Sequence, residues 1–371
     1  MANAYRSQSR PIAEQVVQKV TDLGKLIDTL NNDPDQIIPG ELVSHALVGG
    51  LPPARNAPTE AEVAALNAER EEILEGMRRA AEKIRREGPQ AQLVDDIERL
   101  GGEAIVLLSA RPPIRIRAGH FDNPPPEWQD LETYRPRIEQ SLQSVGRVNV
   151  VGDPDPRYSW LGTGFVVSDG VFMTNRHVAE DHFCRQLGPD RWEFIPGASA
   201  SVNFSEEEGS PATADFDLTE IVGIFDEPGP DLALFRIASR SRDGLKLLPS
   251  PLQLTSTGQN IAQGRVVYVV GYPAFDPRNS PSQQRRLFDA IFNVKRLQPG
   301  TIMDIDDQDS ILYHDCSTLG GNSGSCVVDL ETNRVIGLHF EGEYLKYNAA
   351  VSLWKHLNDP LVLGAGLNFV Q

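Results

Sequence analysis

From residue 148 to the C-terminus, apolar residues occur in short runs that are separated by Gly, Pro, Asp and Asn. Runs of this length between turn-forming residues are typical of β-strands and too short for ordinary helices. Many short strands joined by turns indicate a β-sandwich or a β-barrel. We therefore predict a mainly β domain over residues 148–371. The clearest strand candidates are 148–151, 164–167, 232–237, 266–270, 325–328 and 335–340.

Residues 1–117 show a different pattern. Apolar residues between positions 12 and 30 recur at i, i+3 and i+4, which predicts an amphipathic helix. Thr59 is a helix N-cap candidate with an acidic first turn after it, and it predicts a second helix that ends near Glu87. We therefore predict a mostly helical N-terminal region. It also contains two short strand candidates, at 104–108 and 114–117.

A connector is predicted over residues 118–147. Asn123 is followed by three consecutive prolines, which interrupt regular structure, and the segment 128–144 then predicts a helix. Such linkers often separate independently packed units. The predicted organisation is a helical region at 1–117 that regulates the chain or docks a partner, a Pro-rich connector at 118–147, and a β domain at 148–371.

The composition limits the partners and the compartment. The chain of 371 residues has 35 Lys and Arg against 52 Asp and Glu, a net charge of −17. This acidic balance disfavours binding to nucleic-acid phosphates or anionic membrane surfaces. No apolar run is long enough to cross a bilayer or to serve as a signal peptide. Three cysteines, an odd and sparse set, are typical of a reducing compartment. We therefore predict a cytoplasmic protein without nucleic-acid or membrane partners.

Three motifs carry groups that could act together in catalysis. His177 lies in Met-Thr-Asn-Arg-His-Val, Asp231 in Pro-Asp-Leu-Ala-Leu-Phe, and Ser323 in Leu-Gly-Gly-Asn-Ser-Gly-Ser. A serine hydroxyl is a poor nucleophile until a base takes its proton, and the base needs a partner that fixes its tautomer. These three residues therefore predict a nucleophilic serine site.

Together with the Gly-containing run 161–167, these motifs resemble the chymotrypsin-like serine peptidases, in the disulfide-poor bacterial branch that includes HtrA-type and glutamyl endopeptidases. The order His, Asp, Ser is that of the family and differs from subtilisin and the α/β-hydrolases. The resemblance covers roughly residues 148–357 and not the N-terminal region. It implies two six-stranded antiparallel β-barrels and an endopeptidase that acts on protein or peptide substrates.

The resemblance also implies a role for each motif residue. His177 is expected to act as general base and then as general acid, Asp231 to orient it, and Ser323 to attack the scissile carbonyl. The backbone N–H groups of Gly321 and Ser323 are expected to form the oxyanion hole, because glycine permits the turn that aims them. No cofactor is expected.

Each of these residues has another interpretation when taken alone. His177 could be a packed or surface histidine, Asp231 a turn residue, and Ser323 part of a hairpin turn. The occurrence of all three in the family's order favours the catalytic interpretation. Asp215, Asp217 and Asp226 could likewise be turn residues before a strand.

The residues before the nucleophile also bear on specificity. Trypsin reads basic side chains through an aspartate six positions before its serine, and here that position is Ser317, so a strong basic preference is not expected. Thr318 and His339 resemble the pocket of glutamyl endopeptidases, since a hydroxyl and an imidazole can both donate to a carboxylate. These three residues predict a preference for acidic residues at the cleavage site. The alternative is that His339 packs beside the site without touching substrate, and the net charge of −17 also works against acidic substrates.

Activation is expected to differ from that of trypsin. Asn322 precedes the nucleophile where trypsin has the aspartate that pairs with a newly formed N-terminal amine. An amide cannot form that ion pair, so no activation of this type is expected. Regulation is expected instead from residues 1–117 or from a protein partner that binds them.

Metal sites and other functions are less well supported. The acidic segment 304–309 lacks the glycine and the terminal glutamate of an EF-hand loop, and His177, His182 and Cys184 have no second ligand cluster at zinc-like spacing. We therefore predict no metal site. The alternatives to a peptidase are a protease-like fold that is catalytically silent and serves as a binding or scaffold module, and an esterase with the same triad.

Overall fold

The structure is a computed structural model. It describes residues 23–34, 37, 60–93, 111–155, 158–210, 214–275, 284, 285, 287–343 and 347–371. The part of the first predicted helix before residue 23 and the strand candidate at 104–108 lie outside these residues. The chain divides into two compact units. Unit 1 comprises Met1–Pro112, Pro124–Gln129 and Pro277–Phe292, and unit 2 comprises Pro113–Asn123, Asp130–Asp276 and Asn293–Gln371.

The N-terminal part of unit 1 is helical where the structure describes it, as the sequence predicts. Helix α1 covers Leu23–Asn32 and helix α2 covers Glu60–Glu87, followed by a short 3-10 helix at Gly88–Gln90. Arg78 of α2 donates to the carbonyl oxygen of Leu30 from Nε at 3.0 Å and from Nη2 at 2.7 Å, which satisfies a carbonyl near the end of α1. The helices share an apolar core of Ile27, Leu30, Ile73, Leu74, Met77, Ala80, Ala81 and Ile84.

Unit 2 begins with a hairpin and a helix. Strands β1 (Ile114–Arg117) and β2 (His120–Phe121) pair antiparallel, and helix α3 (Asp130–Leu142) follows. β1 confirms the strand candidate at 114–117, and α3 confirms a helix within 128–144. The sequence assigned β1 to the N-terminal region and α3 to the connector, whereas both lie in the same compact unit as the barrels.

The first barrel of unit 2 is a closed sheet of six antiparallel strands. Its strands are β3 (Val145–Val151), β4 (Trp160–Ser168), β5 (Val171–Thr174), β8 (Ser199–Asn203), β9 (Asp215–Ile224) and β10 (Ala233–Ile237). They follow the order β10-β5-β4-β3-β8-β9 around the barrel. A short helix, α4 (Arg176–Ala179), and a separate hairpin, β6 (Cys184–Gly188) and β7 (Arg191–Phe194), lie between β5 and β8 in the chain.

The second barrel is closed because β12 pairs with both β13 and β15. Its strands are β12 (Val266–Gly271), β13 (Arg296–Asp306), β14 (Ile311–His314), β15 (Cys326–Asp329), β16 (Val335–Glu343) and β17 (Tyr347–Ser352), after the short β11 (Leu254–Thr255). Helix α5 (Pro360–Ala365) and strand β18 (Phe369–Val370) end the chain. β1 pairs with the start of β13, and β11 pairs parallel with β16 and β18. The two barrels confirm the fold that the motifs imply.

The strand bounds differ from the predicted ones where polar residues or glycine pair within a strand. β3 begins at Val145, three positions before the predicted start, because Gly146 and Arg147 pair with Gly164 and Thr163 of β4. A side chain at Gly146 would collide with Val202 of β8, the neighbouring strand. This glycine therefore allows close packing and does not mark a turn.

Candidate active site

His177 and Asp231 meet because two neighbouring strands of the first barrel end side by side. Thr174, at the end of β5, pairs with Ala233, at the start of β10, so the residues just after β5 and just before β10 lie at one edge. His177 Nδ1 lies 2.5 Å from Asp231 Oδ2, and the His177 backbone N–H donates to Asp231 Oδ1 at 3.0 Å. Asn175 Nδ2 donates to the Asp231 carbonyl oxygen at 2.8 Å.

The environment of this pair determines its charge state. Burial by itself would raise the pKa of Asp231, but the hydrogen bond and charge of His177, together with nearby Arg176, lower it below its ordinary value. The carboxylate therefore stays ionised and accepts the Nδ1–H of His177. The other ring nitrogen, Nε2, is left with a lone pair, which is the state that a general base requires.

The three other aspartates that could be turn residues are bonded away from His177. Asp215 accepts hydrogen bonds from asparagine side chains on β3 and β8. Asp217 accepts from Arg242 at 2.7 Å, and Asp226 accepts from the indole of Trp192 at 2.8 Å. Among the four, Asp231 is the one that contacts His177 within the described residues.

Arg176 fixes the loop that leads into Asp231. The Arg176 side chain is 10% exposed, and its Nη1 donates to the carbonyl oxygens of Phe225 at 3.1 Å and Gly229 at 3.5 Å. A buried guanidinium is stable only where acceptors surround it, so these contacts join the residue beside His177 to the loop of its partner. No sequence motif indicated this role, since these carbonyl groups and the Glu227 carboxylate, which accepts from Nη2 at 3.2 Å, lie about fifty positions away.

Ser323 lies in a tight turn that is hydrogen-bonded to β4 of the first barrel. Gly321 and Gly324 have φ angles of +86° and +89°, in the left-handed region that favours glycine. Thr163 of β4 donates its backbone N–H to the Ser323 carbonyl oxygen at 2.8 Å and its hydroxyl to the Gly321 carbonyl oxygen at 2.7 Å. A Cβ on Gly321 would lie 2.5 Å from the ring of Trp160. The turn therefore requires glycine at this position for both conformation and space.

The peptide that carries the Gly321 N–H has a fixed orientation. Its carbonyl oxygen, that of Gly320, accepts a hydrogen bond from the Ala274 N–H at 2.6 Å. Because the C=O and N–H of a trans peptide point in opposite directions, this contact turns the Gly321 N–H away from Ala274.

The Ser323 N–H is oriented in the same way. The carbonyl oxygen of Asn322, in the same peptide, accepts from the Ser325 N–H at 2.9 Å. Within the described part of the chain, the N–H groups of Gly321 and Ser323 donate to no other protein atom. Two oriented N–H groups without a protein acceptor are what an oxyanion hole provides.

Gly162 of β4 allows the nucleophile turn and the His177 helix to approach each other. A Cβ at this position would lie 2.8 Å from the Ser323 carbonyl oxygen and 2.9 Å from Val178 Cγ2. Val178 directly follows His177 in α4. The absence of a side chain at Gly162 therefore lets both segments pack against the same point of the first barrel.

The predicted pocket residues Ser317 and Thr318 lie next to a buried polar network. The Thr318 hydroxyl donates to Asn348 Oδ1, and Asn348 Nδ2 donates to the Cys316 carbonyl oxygen at 2.7 Å. Ser317 is 8% exposed. The Thr318 hydrogen is thus engaged within the protein, and Asn348 is a polar residue near the pocket that no sequence motif indicated.

His339 is buried in the same network. It is 3% exposed, and its Nδ1 lies 3.3 Å from His314 Nε2. His314 Nδ1 accepts the Cys316 N–H at 3.4 Å, so Nε2 of His314 carries the hydrogen and donates to His339. Burial, with the nearby His314 and His177 rings, lowers the pKa of His339 well below its ordinary value. His339 is therefore a neutral imidazole whose Nε2 carries its hydrogen.

No group of three or more His, Cys, Asp or Glu side chains among the described residues is arranged to hold a metal ion. Cys184, Cys316 and Cys326 are buried, and none of the three forms a disulfide. Burial raises the pKa of Cys184 and of Cys326, so neither is an activated nucleophile. No helix in the described ranges is both long and apolar enough to span a bilayer.

Comparison with solved structures finds several proteases. The serine endoprotease from Yersinia pestis is 18% identical, with a TM-score of 0.41, and the match covers 62% of this chain and 66% of that one, just under two thirds. The active form of the Rv3671c protease from M. tuberculosis is 18% identical, with a TM-score of 0.40, over 64% of this chain and 86% of that one. The inactive form of that protease is also 18% identical, with a TM-score of 0.38, over 62% and 92%. No curated protein matches the chain by sequence.

Comparison of the sequence with family models gives a match within the two barrels. A family model described as a trypsin-like peptidase domain matches residues 162–338. That range contains His177, Asp231 and Ser323, and it runs from β4 of the first barrel to β16 of the second. Residues 162–338 of the chain are therefore a trypsin-like peptidase domain.

Proposed function

We propose that this chain is an active serine endopeptidase, with Ser323 as the nucleophile, His177 as the general base and acid, and Asp231 as the residue that orients His177. The observation that carries the proposal is the contact of 2.5 Å between His177 Nδ1 and Asp231 Oδ2. It is supported by the nucleophile turn, whose carbonyl contacts orient the N–H groups of Gly321 and Ser323.

The reaction follows from these positions. Nε2 of His177 takes the hydroxyl proton as Ser323 Oγ attacks the scissile carbonyl, and the negative charge that forms on the carbonyl oxygen is bound by the N–H groups of Gly321 and Ser323. The imidazolium, stabilised by Asp231, then gives its proton to the leaving amine as the C–N bond breaks. Water attacks the acyl-enzyme by the same sequence and releases the new carboxyl terminus.

The first test is labelling with a fluorophosphonate, which forms a bond to an activated serine. Wild type should label, whereas Ser323→Ala and His177→Ala should not. His182→Ala is a matched control, because His182 Nδ1 lies 2.8 Å from Asp153 in a similar pair that has no catalytic role in the proposal. A folded wild type that stays unlabelled would favour the silent binding module instead.

The substrate proposal is a preference for acidic residues at the cleavage site. The neutral His339 is held with a hydrogen on Nε2, which can donate to a carboxylate, and Ser317 adds a hydroxyl nearby. The Thr318 hydroxyl already donates to Asn348, so its contribution is to hold the pocket and not to bind the carboxylate directly. His339 is thus the main specificity residue of this proposal.

Two matched peptides test this preference, one with Glu and one with Gln at the cleavage site. These side chains have the same shape, so a difference reports the charge. We expect kcat/KM to be at least about ten times higher for Glu, and His339→Leu to remove most of that difference. Equal rates for Glu and Gln in wild type would contradict the acidic preference.

The regulatory proposal is that residues 1–117, alone or with a protein partner, control the activity. Pro277–Phe292 belongs to the same compact unit as Met1–Pro112. Pro277 follows Ala274 by three positions, and Ala274 holds the peptide of Gly321. A change in unit 1 could therefore reach the oxyanion hole along the chain itself.

Truncation tests the regulatory proposal. The deletion should end at residue 112, because β1 pairs with β13 in unit 2. If residues 1–112 inhibit, the truncated protein should label faster with fluorophosphonate than the full chain. A truncated protein that keeps its near-UV circular dichroism but labels at the same rate or more slowly would contradict inhibition.

The compartment proposal rests on the cysteines. All three are buried and none forms a disulfide, which is typical of proteins in a reducing compartment such as the cytoplasm. Labelling of the thiols in cell extracts under non-reducing conditions tests this. A mixed disulfide on any of the three would contradict it.

A further inference from the structure

Asn322, between the two N–H groups of the proposed oxyanion hole, has a buried partner on another strand. Its side chain is 0% exposed, and Nδ2 donates to the Leu319 carbonyl oxygen at 3.1 Å within the same turn. Its Oδ1 accepts from Gln298 Nε2 at 2.9 Å. The Asn322 amide therefore joins the nucleophile turn to β13 of the second barrel.

Gln298 is an unusual residue for its location. It is 0% exposed on β13, opposite Val269 of β12. Within the part of the chain that the structure describes, Gln298 Oε1 has no hydrogen-bond partner. A buried amide that leaves one of its polar atoms unsatisfied is less stable than an apolar side chain of the same size. Such a residue is expected mainly where its remaining contact serves the function of the site.

Gly271 of β12 leaves the space that the side-chain amide of Asn322 occupies. A Cβ at Gly271 would collide with Asn322 Oδ1 and Ser325 Oγ. The side-chain oxygen of Asn322, Oδ1, thus lies against the backbone of β12 while it accepts a hydrogen bond from Gln298. Rotation of the amide would place its NH2 group against the NH2 group of Gln298, so a single orientation is favoured.

We infer that Gln298 is a positioning residue for the oxyanion hole, acting through Asn322. This inference rests on the proposed function, since it concerns the N–H groups of Gly321 and Ser323. The Gln298–Asn322 contact takes the place of the ion pair that an aspartate and an N-terminal amine would form. Because both groups are neutral amides, the turn is held without cleavage of the chain and without a titrating group.

The test uses the full chain and the burst of nitrophenol from 4-nitrophenyl acetate, with Ser323→Ala as the background. Gln298→Met keeps the volume but removes the hydrogen bond. We expect its acylation rate to fall about 10- to 100-fold, a part of the loss caused by removing one oxyanion donor. Its melting temperature should stay close to that of wild type, because the unsatisfied Gln298 carbonyl is gone while Asn322 Oδ1 loses its donor. Affinity for phenylboronic acid should fall with the acylation rate, while the pH dependence of acylation stays the same.

Two further variants make the result decisive. Gln298→Leu also lacks the donor to Asn322 Oδ1, and it should lose acylation as Gln298→Met does. Ile302→Val, in the core of the same barrel, should lower stability slightly and leave acylation unchanged. The inference would be overturned if folded Gln298→Met acylates at the wild-type rate. It would also be overturned if the acylation rate falls only in proportion to a lower melting temperature. A folded wild type with neither burst nor fluorophosphonate label would overturn the proposed function as well.

Discussion

At the scale of single residues, the candidate site depends on a difference in exposure between two partners. The Asp231 side chain is 16% exposed, whereas that of His177 is 45% exposed. The carboxylate is therefore shielded from water, and it stays ionised because His177 and Arg176 lower its pKa. The imidazole is exposed to solvent. Asp231 accepts both the ring N–H and the backbone N–H of His177, so it fixes the position and the tautomer of the ring.

We expect Asp231→Asn to lower the acylation rate about 10⁴-fold, the loss known for the same change in a related triad, because the amide favours the wrong tautomer of His177. Asp217→Asn is the control, since Asp217 pairs with Arg242 on the surface. The burst with 4-nitrophenyl acetate measures both. Comparable acylation by the two variants would show that Asp231 does not orient His177.

A second prediction at this scale concerns Arg176. Arg176→Met removes the donor to the Phe225 and Gly229 carbonyl oxygens, so we expect kcat to fall by about tenfold or more with little change in KM. Arg176→Lys should be intermediate, because an ammonium lacks the planar fork of a guanidinium. Arg236→Met, at an exposed position of β10, should keep wild-type kcat. Full activity in Arg176→Met would leave Arg176 without a positioning role.

The sequence predicted the residues of the site only where the signal is local. His177, Asp231 and Ser323 each stand in a short motif, so their types and order were readable. Gln298 and Arg176 could not be found in this way, because their partners lie 24 and about fifty positions away. Contacts of this kind depend on how strands and loops close, which no local pattern encodes.

At the scale of elements, the nucleophile turn must fit a space formed by the first barrel. A Cβ at Gly324 would collide with the Thr163 carbonyl oxygen and lie 2.5 Å from Thr174 Oγ1. Thr174 Oγ1 also donates to the Thr163 carbonyl oxygen at 2.7 Å, so neither group can move away freely. The glycine after Ser323 is thus required by two strands of the first barrel, β4 and β5.

This fit gives a prediction for Gly324→Ala. Acylation should be lost, because the turn must move away from β4, and thermal unfolding should occur at a clearly lower temperature. Gly170→Ala is the matched control: Gly170 also has a positive φ, +67°, but a Cβ there would meet nothing closer than 3.9 Å. It should cost only about 1 kcal/mol of backbone strain and keep activity. Equal effects of the two changes would mean that strain, and not the collision, matters at Gly324.

The fold shows the same division between local and distant information. The apolar runs predicted strands near 266–270 and 335–340, and the structure has them as β12 (Val266–Gly271) and β16 (Val335–Glu343). The pairing order β12-β15-β16-β17-β14-β13 and the closure of the barrel were not readable from those runs. The family resemblance implied the two barrels but not the pairing order, since the period of a strand does not identify its neighbours.

At the scale of the whole of unit 2, Lys295 connects helix α3 with both barrels. It is 1% exposed, and its Nζ donates at 2.8 Å to the carbonyl oxygens of Leu142, at the end of α3, and of Phe204, after β8 of the first barrel. Its backbone leads directly into β13 of the second barrel. Glu207 lies 3.6 Å away as a partner for the charge. One buried ammonium therefore connects α3 and both barrels.

The charge of Lys295 should make the stability of this unit depend on pH. Burial lowers the pKa of Lys295 from 10.5 to about 8, although Glu207 partly opposes the change. Between these values the unfolded chain binds a proton that the native protein has released, so this group makes the free energy of unfolding rise with pH. Below about pH 8 both states are protonated and its contribution is constant.

Comparison with Lys295→Met isolates this effect from that of other titrating groups. From pH 7 to pH 9.5, the free energy of unfolding of wild type should rise relative to the variant by roughly 2 kcal/mol, at about 1.4 kcal/mol for each pH unit above the native pKa. Urea unfolding at several pH values measures the difference. Parallel curves for the two proteins, or a relative decline of wild type, would mean that the ammonium is as stable between the barrels as it is in water.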